Sequence, residues 1–331
     1  QYARLRQSLE MATSFGITTV VEPQNSLDDL ALFVRAQRDG DLRSRLIVAL
    51  FHPRGTTDAE LDAFAQAAQR FTDDRLRVGP LKLYIDDVIE RHTAAMLEPY
   101  SDEPTTSGAL FYEPDEFAEL ITKLDARGFQ TFTHAIGDRG IRTALDAIER
   151  AQAQNRSRDR RHQIVHVECV HPDDIPRFAR LGVVPCVQPR PFAPALNADW
   201  VAAVGPERSR YGAAWRSLHD TGAPLAFSSD WNVTEMDPLI GIYTAVTRAD
   251  LDGGDPWMPH QAVDLPTAIH AYTLAGAYAN FCEGDRGSIT PGKYADLIVL
   301  SDDLFAIPAS RIPNTKVELT TVGGVIQHDT R

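Results

Sequence analysis

The chain has 331 residues, of which 43% are hydrophobic and 24% are charged, and its formal net charge is −13. This length suits one α/β barrel or two ordinary domains. The acidic balance argues against nucleic-acid binding, which needs basic patches, and no apolar run approaches the length of a membrane span. We therefore expect a globular protein with no nucleic-acid or membrane partner. Because no signal peptide is visible, we expect it in the cytoplasm.

The three cysteines, Cys169, Cys186 and Cys282, have no paired spacing. Two of them lie in apolar, strand-like runs, and free cysteine is among the most buried residue types. We predict three buried free thiols, which excludes a disulfide scaffold.

In chain order, predicted strands and helices alternate. An opening helix over 2–15 precedes seven apolar runs of strand character: 17–22, 45–51, 81–85, 129–136, 163–170, 183–188 and 224–230. Predicted helices cover 27–37, 57–70, 114–126, 139–154, 172–181, 211–219, 239–248 and 265–280, and irregular excursions cover 88–113 and 189–210. Buried strands that alternate with helices form a parallel sheet covered by helices. An open doubly wound sheet is the alternative, but no Gly-rich phosphate loop supports it.

The pattern changes after residue 284. The stretch 284–300 predicts two short strands around the Pro291-Gly292 turn, and 316–326 predicts a hairpin around Gly323-Gly324. We predict a barrel domain over 1–283 and a small β-sandwich portion over 284–331.

The run Pro224 to Asp230 ends in Ser-Ser-Asp, and a loop with Pro238 and a helical stretch follow it. Alternation places Ala226, Ser228 and Asp230 on one face. A carboxylate at the carboxyl end of a buried strand lies where α/β barrels keep their chemistry. The alternative is an Asp that caps the helix or forms a turn.

Three further strands contain polar side chains that core packing does not require. Lys82 shares a face with Tyr84 and must find a partner or lose its charge when buried. His134 ends its strand. In the next strand, Val165, Val167 and Cys169 form an apolar outer face, so His166 and Glu168 are predicted to point inward. Each of these residues also has a purely structural alternative: an ion-paired lysine and hydrogen-bonded histidines.

Two imidazoles and carboxylates that converge at strand ends form a ligand set for zinc or a related divalent metal. Three other histidines, His162, His171 and His219, begin a strand, precede a helix or lie near a helix end. We expect them to be structural or exposed, since strand-end residues are the ones that reach the mouth of a barrel.

Taken together, several stretches resemble the amidohydrolase superfamily, and within it the amidohydrolase-3 branch with its YtcJ-like and N-substituted formamide deformylase-like enzymes. The matching stretches are His134-Ala-Ile-Gly-Asp-Arg139, His166, His171-Pro-Asp-Asp-Ile175, Ser229-Asp230 with Asp237-Pro238-Leu239, and 287–299. The resemblance runs over nearly the whole chain. It implies a metal-dependent (β/α)8 TIM-type barrel with a small β-sandwich.

The resemblance also implies roles. Lys82 would take up CO2 as a carboxylated lysine and ligate metal together with His134 and His166, the histidines of the fifth and sixth barrel strands. Asp230 would ligate metal and shuttle a proton. The implied activity is hydrolysis of a C–N, amide-like bond of a small-molecule substrate by metal-activated water. The metal would be zinc, as one or two ions, with Mn or Fe as alternatives.

The chain departs from the family pattern in one important respect. The family's first strand has a His-x-His pair, and no His-x-His occurs in this chain. We expect the first strand and the opening half of the β-sandwich to be missing from this sequence. Asp87, Arg91-His92 and Val165 also replace residues that are usual in the family.

Three hypotheses follow. The first is the metal-dependent hydrolase. The second is a catalytically silent or incomplete amidohydrolase fragment that acts as a scaffold and pairs its exposed sheet edges with another chain, for example in a homo-oligomer. The third is a metal-free barrel lyase that uses Lys82 as a Schiff-base amine.

Overall fold

The computed structural model describes residues 1–331 and contains two β-sheets. Seven parallel strands form the larger sheet, and each pairs with the next strand along the chain. They are β1 (Thr19–Asn25), β2 (Arg45–Phe51), β3 (Leu76–Tyr84), β4 (Thr131–Ala135), β5 (Gln163–His166), β6 (Val184–Val187) and β7 (Ala226–Phe227). β1 and β7 are the two edges, so the sheet is an open form of the predicted barrel wall.

Twelve helices accompany the strands. They are α1 (Tyr2–Ser14), α2 (Leu30–Arg38), α3 (Asp58–Arg70), α4 (Pro114–Ala126), α5 (Asp138–Gln154), α6 (Ile175–Leu181), α7 (Ala198–Val204), α8 (Pro206–Ser209), α9 (Trp215–Asp220), α10 (Pro238–Thr247), α11 (Leu265–Tyr272) and α12 (Leu274–Ala279). Capping residues determine where several of these helices begin or end. Thr57 and Glu60 form a reciprocal capping box at α3, and Gly182 ends α6 in the left-handed conformation with φ +62°. No helix is both long and apolar enough to cross a membrane.

The main core lies between the larger sheet and the surrounding helices and contains 64 buried apolar residues. Helix α12 covers the opposite, concave face of the sheet at the amino-terminal ends of the strands. Ala277 of α12 packs against Ile47 of β2, while Ala275 packs with Val184 and Ala226 of β6 and β7. Strands near both edges of the sheet therefore contact one short helix, which requires the sheet to curl into a half-barrel.

The small sheet is antiparallel and has the order β10-β9-β8, with β8 (Leu297–Leu300), β9 (Val317–Val322) and β10 (Val325–Asp329). A buried ion pair connects it to the barrel. The Arg45 guanidinium at the start of β2 donates to both Asp296 carboxylate oxygens, at 2.7 and 2.9 Å. Asp296 also accepts from the Gly323 amide at 2.7 Å. The two sheets are therefore fixed against each other by a desolvated, two-point contact.

The structure corrects four details of the predicted elements. The 189–210 excursion is not wholly irregular, because it contains α7 and α8. The predicted helix 211–219 begins only at Trp215, and the predicted helix 265–280 is divided at Thr273. The stretch before Pro291 forms bends and not a strand, so only the second of the two strands predicted there exists. Loop composition and apolar content alone do not reveal such short irregularities.

A buried cluster of charges joins α4 to the segment before β5. The Asp125 carboxylate is wholly buried and accepts from Arg158 at 2.7 Å, Arg160 at 2.9 Å and Asn155 at 2.8 Å. His162 Nε2 lies 3.4 Å from it. Burial alone would raise the pKa of Asp125, but these partners outweigh it and hold the pKa well below its usual range.

This cluster predicts a particular pH dependence of stability. A carboxylate whose folded-state pKa is depressed stabilises the fold above its unfolded pKa of about 3.9, and that stabilisation is lost as the pH falls toward the folded value. Asp125→Asn should lower the free energy of unfolding at pH 7 by about 3 kcal/mol, because the buried guanidinium groups lose their counter-charge. The variant should also lose less additional stability than the wild type between pH 5 and about pH 2.

Urea unfolding at a series of pH values measures both effects. Asp58→Asn is the matched control, because Asp58 pairs with Lys123 at an exposed position, where such pairs contribute little. Parallel pH profiles for the wild type and Asp125→Asn would contradict the assignment.

Candidate active site

The pairing of β3, β4 and β5 determines which side chains face the concave interior. Lys82 pairs with Phe132, and Tyr84 pairs with His134. Residues paired in register in a parallel sheet point to the same side. Lys82, Tyr84, Phe132 and His134 therefore share the interior face toward the carboxyl ends of their strands.

Lys82 is 4% exposed, and no carboxylate forms an ion pair with it. Its Nζ lies 4.5 Å from the centre of the Tyr84 ring and 5.0 Å from that of Phe132. Burial lowers the pKa of Lys82 to about 8, although the charge of Asp230 acts in the opposite direction. The structural alternative of an ion-paired lysine is therefore not what the fold contains.

His134 is 6% exposed, and its Nε2 lies 3.2 Å from the backbone oxygen of Asp87. Its ring centre is 4.5 Å from that of His166 and 4.8 Å from that of Tyr84. Burial, together with the charge of Lys82, lowers the pKa of His134 to about 3. The imidazole is thus neutral at physiological pH and has a free electron pair on one nitrogen.

The His166 side chain also lies beside His134, but the backbone conformation that places it there differs from the predicted regular strand. Val165 does not lie on an outer face: it pairs with His134 and Cys186 and packs against Phe132 and Cys186 in the interior. The backbone then turns at His166, with φ +78°, and at Val167, with φ +50°. This departure from strand geometry brings the His166 ring to His134. Non-glycine residues rarely adopt such angles, and strained ones concentrate at functional sites.

Burial lowers the pKa of His166 well below its ordinary value, and the neighbouring His134 and Lys82 add to the shift. Both imidazoles of the pair are therefore neutral.

Asp230 follows the short strand β7 and is half-buried, with φ +56°. Burial raises the pKa of its carboxyl, partly offset by the charge of Lys82. Just before it, the Ser228 hydroxyl accepts from the Gln188 amide at 2.8 Å, which connects the ends of β6 and β7. Asp230 thus lies within the electrostatic influence of Lys82 but does not form an ion pair with it.

Asp86 has a different role from the residues that precede it on β3. Its buried carboxylate accepts backbone N–H groups of Ala95 and Ile136 at 3.0 Å and of Gly137 at 2.9 Å. Burial raises its pKa to about 7, against the effect of these three hydrogen bonds. Asp86 therefore fixes the loops after β3 and β4 around the histidines, and its Oδ1 lies 3.9 Å from His134 Nε2.

Of the three histidines expected to be structural or exposed, two accept backbone hydrogen bonds and the third, His219, is exposed. His162 accepts the Thr131 backbone N–H at 3.1 Å, and His171 accepts the Asp173 N–H at 3.2 Å at the start of a 3-10 turn. His219 lies in the last turn of α9. The three cysteines are free and buried, as predicted.

Two residues near the site were not singled out as site residues from the sequence. The Tyr84 ring centre lies 4.5 Å from Lys82 Nζ and 4.8 Å from the centre of the His134 ring. Glu168 accepts from the Trp200 indole at 3.0 Å, and burial, with the charge of Glu90, raises the pKa of Glu168 to about 8. An acidic residue two positions after His166, within an otherwise apolar run, is the signal that could have identified it.

The donor set fits a divalent metal in part. Two neutral imidazoles whose rings are 4.5 Å apart are the nitrogen donors that zinc prefers. However, no group of three or more His, Cys, Asp or Glu side chains lies close enough together to hold a metal ion. A complete ligand set would therefore need further donor atoms beside the two imidazoles.

Comparison with known proteins identifies the family to which the chain belongs. The sequence profile of the amidohydrolase family matches residues 1–328. The chain therefore belongs to the amidohydrolase family, within the amidohydrolase-3 branch.

Among curated relatives, Protein LONG AFTER FAR-RED 3 of Arabidopsis thaliana is 31% identical over 97% of this chain and 56% of its own length. The putative amidohydrolase YtcJ of Bacillus subtilis is 30% identical over 79% of the chain and 49% of its own length. The N-substituted formamide deformylase of Arthrobacter pascens is 26% identical over 77% of the chain and 46% of its own length. The chain thus spans about half the length of these relatives.

Solved structures agree with the fold. A metal-dependent hydrolase of Pyrococcus horikoshii superimposes with a TM-score of 0.80 and 25% identity over 93% of this chain and 61% of its own. The corresponding protein of Pyrococcus furiosus gives 0.75 and 27% over 89% and 58%. The architecture is therefore a curled half-barrel of seven parallel strands with a small antiparallel sheet, similar to the barrels of these metal-dependent hydrolases.

Proposed function

We propose that the protein hydrolyses a C–N, amide-like bond of a small molecule. The observation that supports this most directly is the pair of neutral imidazoles, His134 and His166, beside the buried and unpaired amine of Lys82. These groups lie at the carboxyl ends of parallel strands, where barrel enzymes keep their reactive groups.

A divalent metal, with zinc as the first candidate and Mn or Fe as alternatives, would be held by His134, His166, Lys82 as a carbamate, and Asp230. When bound, such an ion lowers the pKa of water and polarises a carbonyl group. The hydrolase relatives that are described as metal-dependent support this choice.

The lysine would change its chemical character in this site. The uncharged form of the Lys82 amine would attack the carbon of CO2. An N–C bond would form, one C=O π bond would open onto oxygen, and the nitrogen would release a proton to solvent water, which leaves a carbamate anion. The lysine would thereby become a two-oxygen donor beside two neutral imidazoles, an arrangement that suits a metal cation.

Asp230 would transfer a proton from the attacking water to the leaving nitrogen. Its half-buried carboxylate lies at the end of β7, within the field of Lys82. In this position it would accept a proton from the attacking water and donate it to the leaving nitrogen, so that the amine departs neutral. The C–N bond breaks, and the products are a carboxylate and an amine.

The proposal that the cleaved bond is an amide is supported by one of the relatives. One relative is an N-substituted formamide deformylase, which acts on an amide of formic acid by its name. Because this chain spans 46% of that protein, the substrate comes to the present chain only as a proposal.

The first test concerns Lys82. Protein equilibrated with ¹³C-bicarbonate should show one slowly exchanging carbamate carbon resonance. Lys82→Arg should remove it, because a guanidinium does not form a carbamate, whereas Lys123→Arg at the surface of α4 should leave it unchanged. A spectrum that is identical for the wild type and Lys82→Arg would contradict carbamylation at this residue.

The second test concerns turnover. With Zn²⁺, Mn²⁺ or Fe²⁺ supplied, a panel of N-formyl and N-acetyl amines should release free amine, and Asp230→Asn should lower kcat by roughly 10²- to 10⁴-fold, the usual effect of a lost acid–base group. Asp237→Asn is the matched control, because Asp237 caps α10 by accepting the Leu239 N–H at 2.9 Å and asparagine caps equally well. Equal rates for the wild type and Asp230→Asn would exclude the proposed role.

The two other hypotheses remain predictions. A Schiff-base lyase would be trapped on Lys82 by borohydride with a carbonyl substrate, but it gives the two histidines no role. A silent scaffold would show neither amine release nor trapping with any metal supplied.

A further inference from the structure

Gln188 follows β6 directly, and its side chain is 4% exposed. Its amide nitrogen Nε2 donates to the Ser228 hydroxyl at 2.8 Å and to the Cys186 backbone oxygen at 3.3 Å. These contacts satisfy the donor side of the amide. The oxygen of a buried amide also needs a donor, because a buried polar group without a partner is costly.

The backbone oxygen of Cys186 determines which way the amide is turned. A carbonyl oxygen accepts hydrogen bonds and cannot donate one, so the group that faces Cys186 is the NH2 of Gln188. The amide oxygen Oε1 lies on the other side of the planar group, where His166 is the donor. Burial is the main cause that lowers the pKa of His166, and the hydrogen bond with Gln188 acts in the opposite direction. That is the effect of an acceptor that stabilises the N–H of an imidazole.

This contact selects one tautomer of His166. A neutral imidazole has one N–H group, and the hydrogen bond at one nitrogen decides where the proton lies. Because Oε1 only accepts, the nitrogen that faces Gln188 has the proton and the other nitrogen has the free electron pair. Gln188 lies on the β6 side of β5, whereas His134 belongs to β4 on the other side. The two ring nitrogens point in divergent directions, so the free electron pair of His166 is directed toward His134.

The proton of His134 is fixed in a comparable way. Its Nε2 lies 3.2 Å from the backbone oxygen of Asp87, which also only accepts, so Nε2 has the proton and Nδ1 has the free electron pair. The centres of the two histidine rings are 4.5 Å apart. A backbone oxygen thus orients His134, while a side-chain oxygen orients His166. The second contact is the one that a substitution can remove.

We propose that Gln188 is a positioning residue for His166: it holds the proton on the ring nitrogen that faces β6 and directs the free electron pair of the other nitrogen toward His134. Ser228 supports this role, because its hydroxyl fixes the amide from the end of β7. The consequence for binding of a divalent metal rests on the proposed function, whereas the tautomer of the metal-free protein does not.

Nitrogen NMR of metal-free protein labelled with ¹⁵N-histidine measures the tautomer of each ring at neutral pH. The wild type should show His166 as one tautomer, and its signals are identified by their absence from His166→Ala. Gln188→Met retains the length of the side chain but removes the acceptor, so it should show both tautomers at His166. The proton of His134 should stay on Nε2, because the Asp87 contact is unchanged. A single, wild-type His166 tautomer in Gln188→Met would overturn the proposal.

The matched control is Gln261→Met. Gln261 is 2% exposed, and its amide also has partners on both sides, since Oε1 accepts the Ser217 N–H at 3.1 Å and Nε2 donates to the Ser217 hydroxyl at 2.8 Å. This variant should leave the tautomers of both site histidines unchanged. A mixture of His166 tautomers in Gln261→Met would show that any loss of a buried amide has this effect, and would contradict the assignment.

Two further variants separate the acceptor from the packing of the side chain. Gln188→Glu retains an acceptor, although it loses the donors to Ser228 and Cys186, and should retain the wild-type tautomer. Gln188→Asn is one methylene shorter, so its oxygen no longer reaches the ring, and it should show both tautomers even if Gln188→Met folds poorly. The reverse pattern in these two variants would overturn the proposal.

Zinc titration in competition with a chelator measures the consequence for the metal. Gln188→Met should bind zinc roughly 10- to 100-fold more weakly than the wild type, the usual effect of removing a group that orients a ligating histidine, and Gln261→Met should bind it equally well. Equal zinc affinity of the wild type and Gln188→Met would contradict the positioning role. A wild type that binds no zinc but has a single His166 tautomer, lost in Gln188→Met, would support the assignment of Gln188 and reject the metal of the proposed function.

Discussion

The register of the parallel strands β3, β4 and β5 is the constraint on which the site depends. Pairing Tyr84 with His134 and His134 with Val165 places an amine, a phenol and an imidazole on the concave side of a sheet whose convex side is occupied by the main core. Polar groups in such a place are desolvated together. Their pKa values therefore shift in the direction of the neutral forms, to about 3 for His134 and about 8 for Lys82.

Burying these polar side chains costs free energy, and contacts elsewhere in the fold offset that cost. Asp86 uses its carboxylate to bind three backbone amides and so fixes the loops around His134. The left-handed backbone at His166 is maintained because the neighbouring Val167 is fully buried in the main core. The interior is closed on its other side by α12, so that the accessible part of the concave face is the edge where Lys82, His134 and Asp230 lie.

The sequence predicted the alternation of strands and helices and the parallel sheet, because long apolar runs bounded by capping and turn residues have few other solutions. It also indicated Lys82, His134, His166 and Asp230, since polar residues at strand ends are conspicuous in apolar runs. It assigned Val165 to the wrong face, because strict alternation does not foresee a backbone reversal at His166.

The family profile and the shared barrel architecture assign the protein to the amidohydrolase superfamily. The finer assignment rests on chemistry that the histidine pair and Lys82 make available. The site has two nitrogen donors in place, but no three His, Cys, Asp or Glu side chains are arranged to hold a metal ion. Its ability to bind a metal therefore depends on Lys82 and Asp230.

Elemental analysis of protein purified without chelator tests this account most directly, with the result expressed as metal per chain. The account predicts about one zinc, manganese or iron ion per chain, and a His134→Ala, His166→Ala double variant that has lost it while His171→Ala retains it. A metal-free wild type that also fails to take up added zinc would contradict the account and would favour the catalytically silent scaffold.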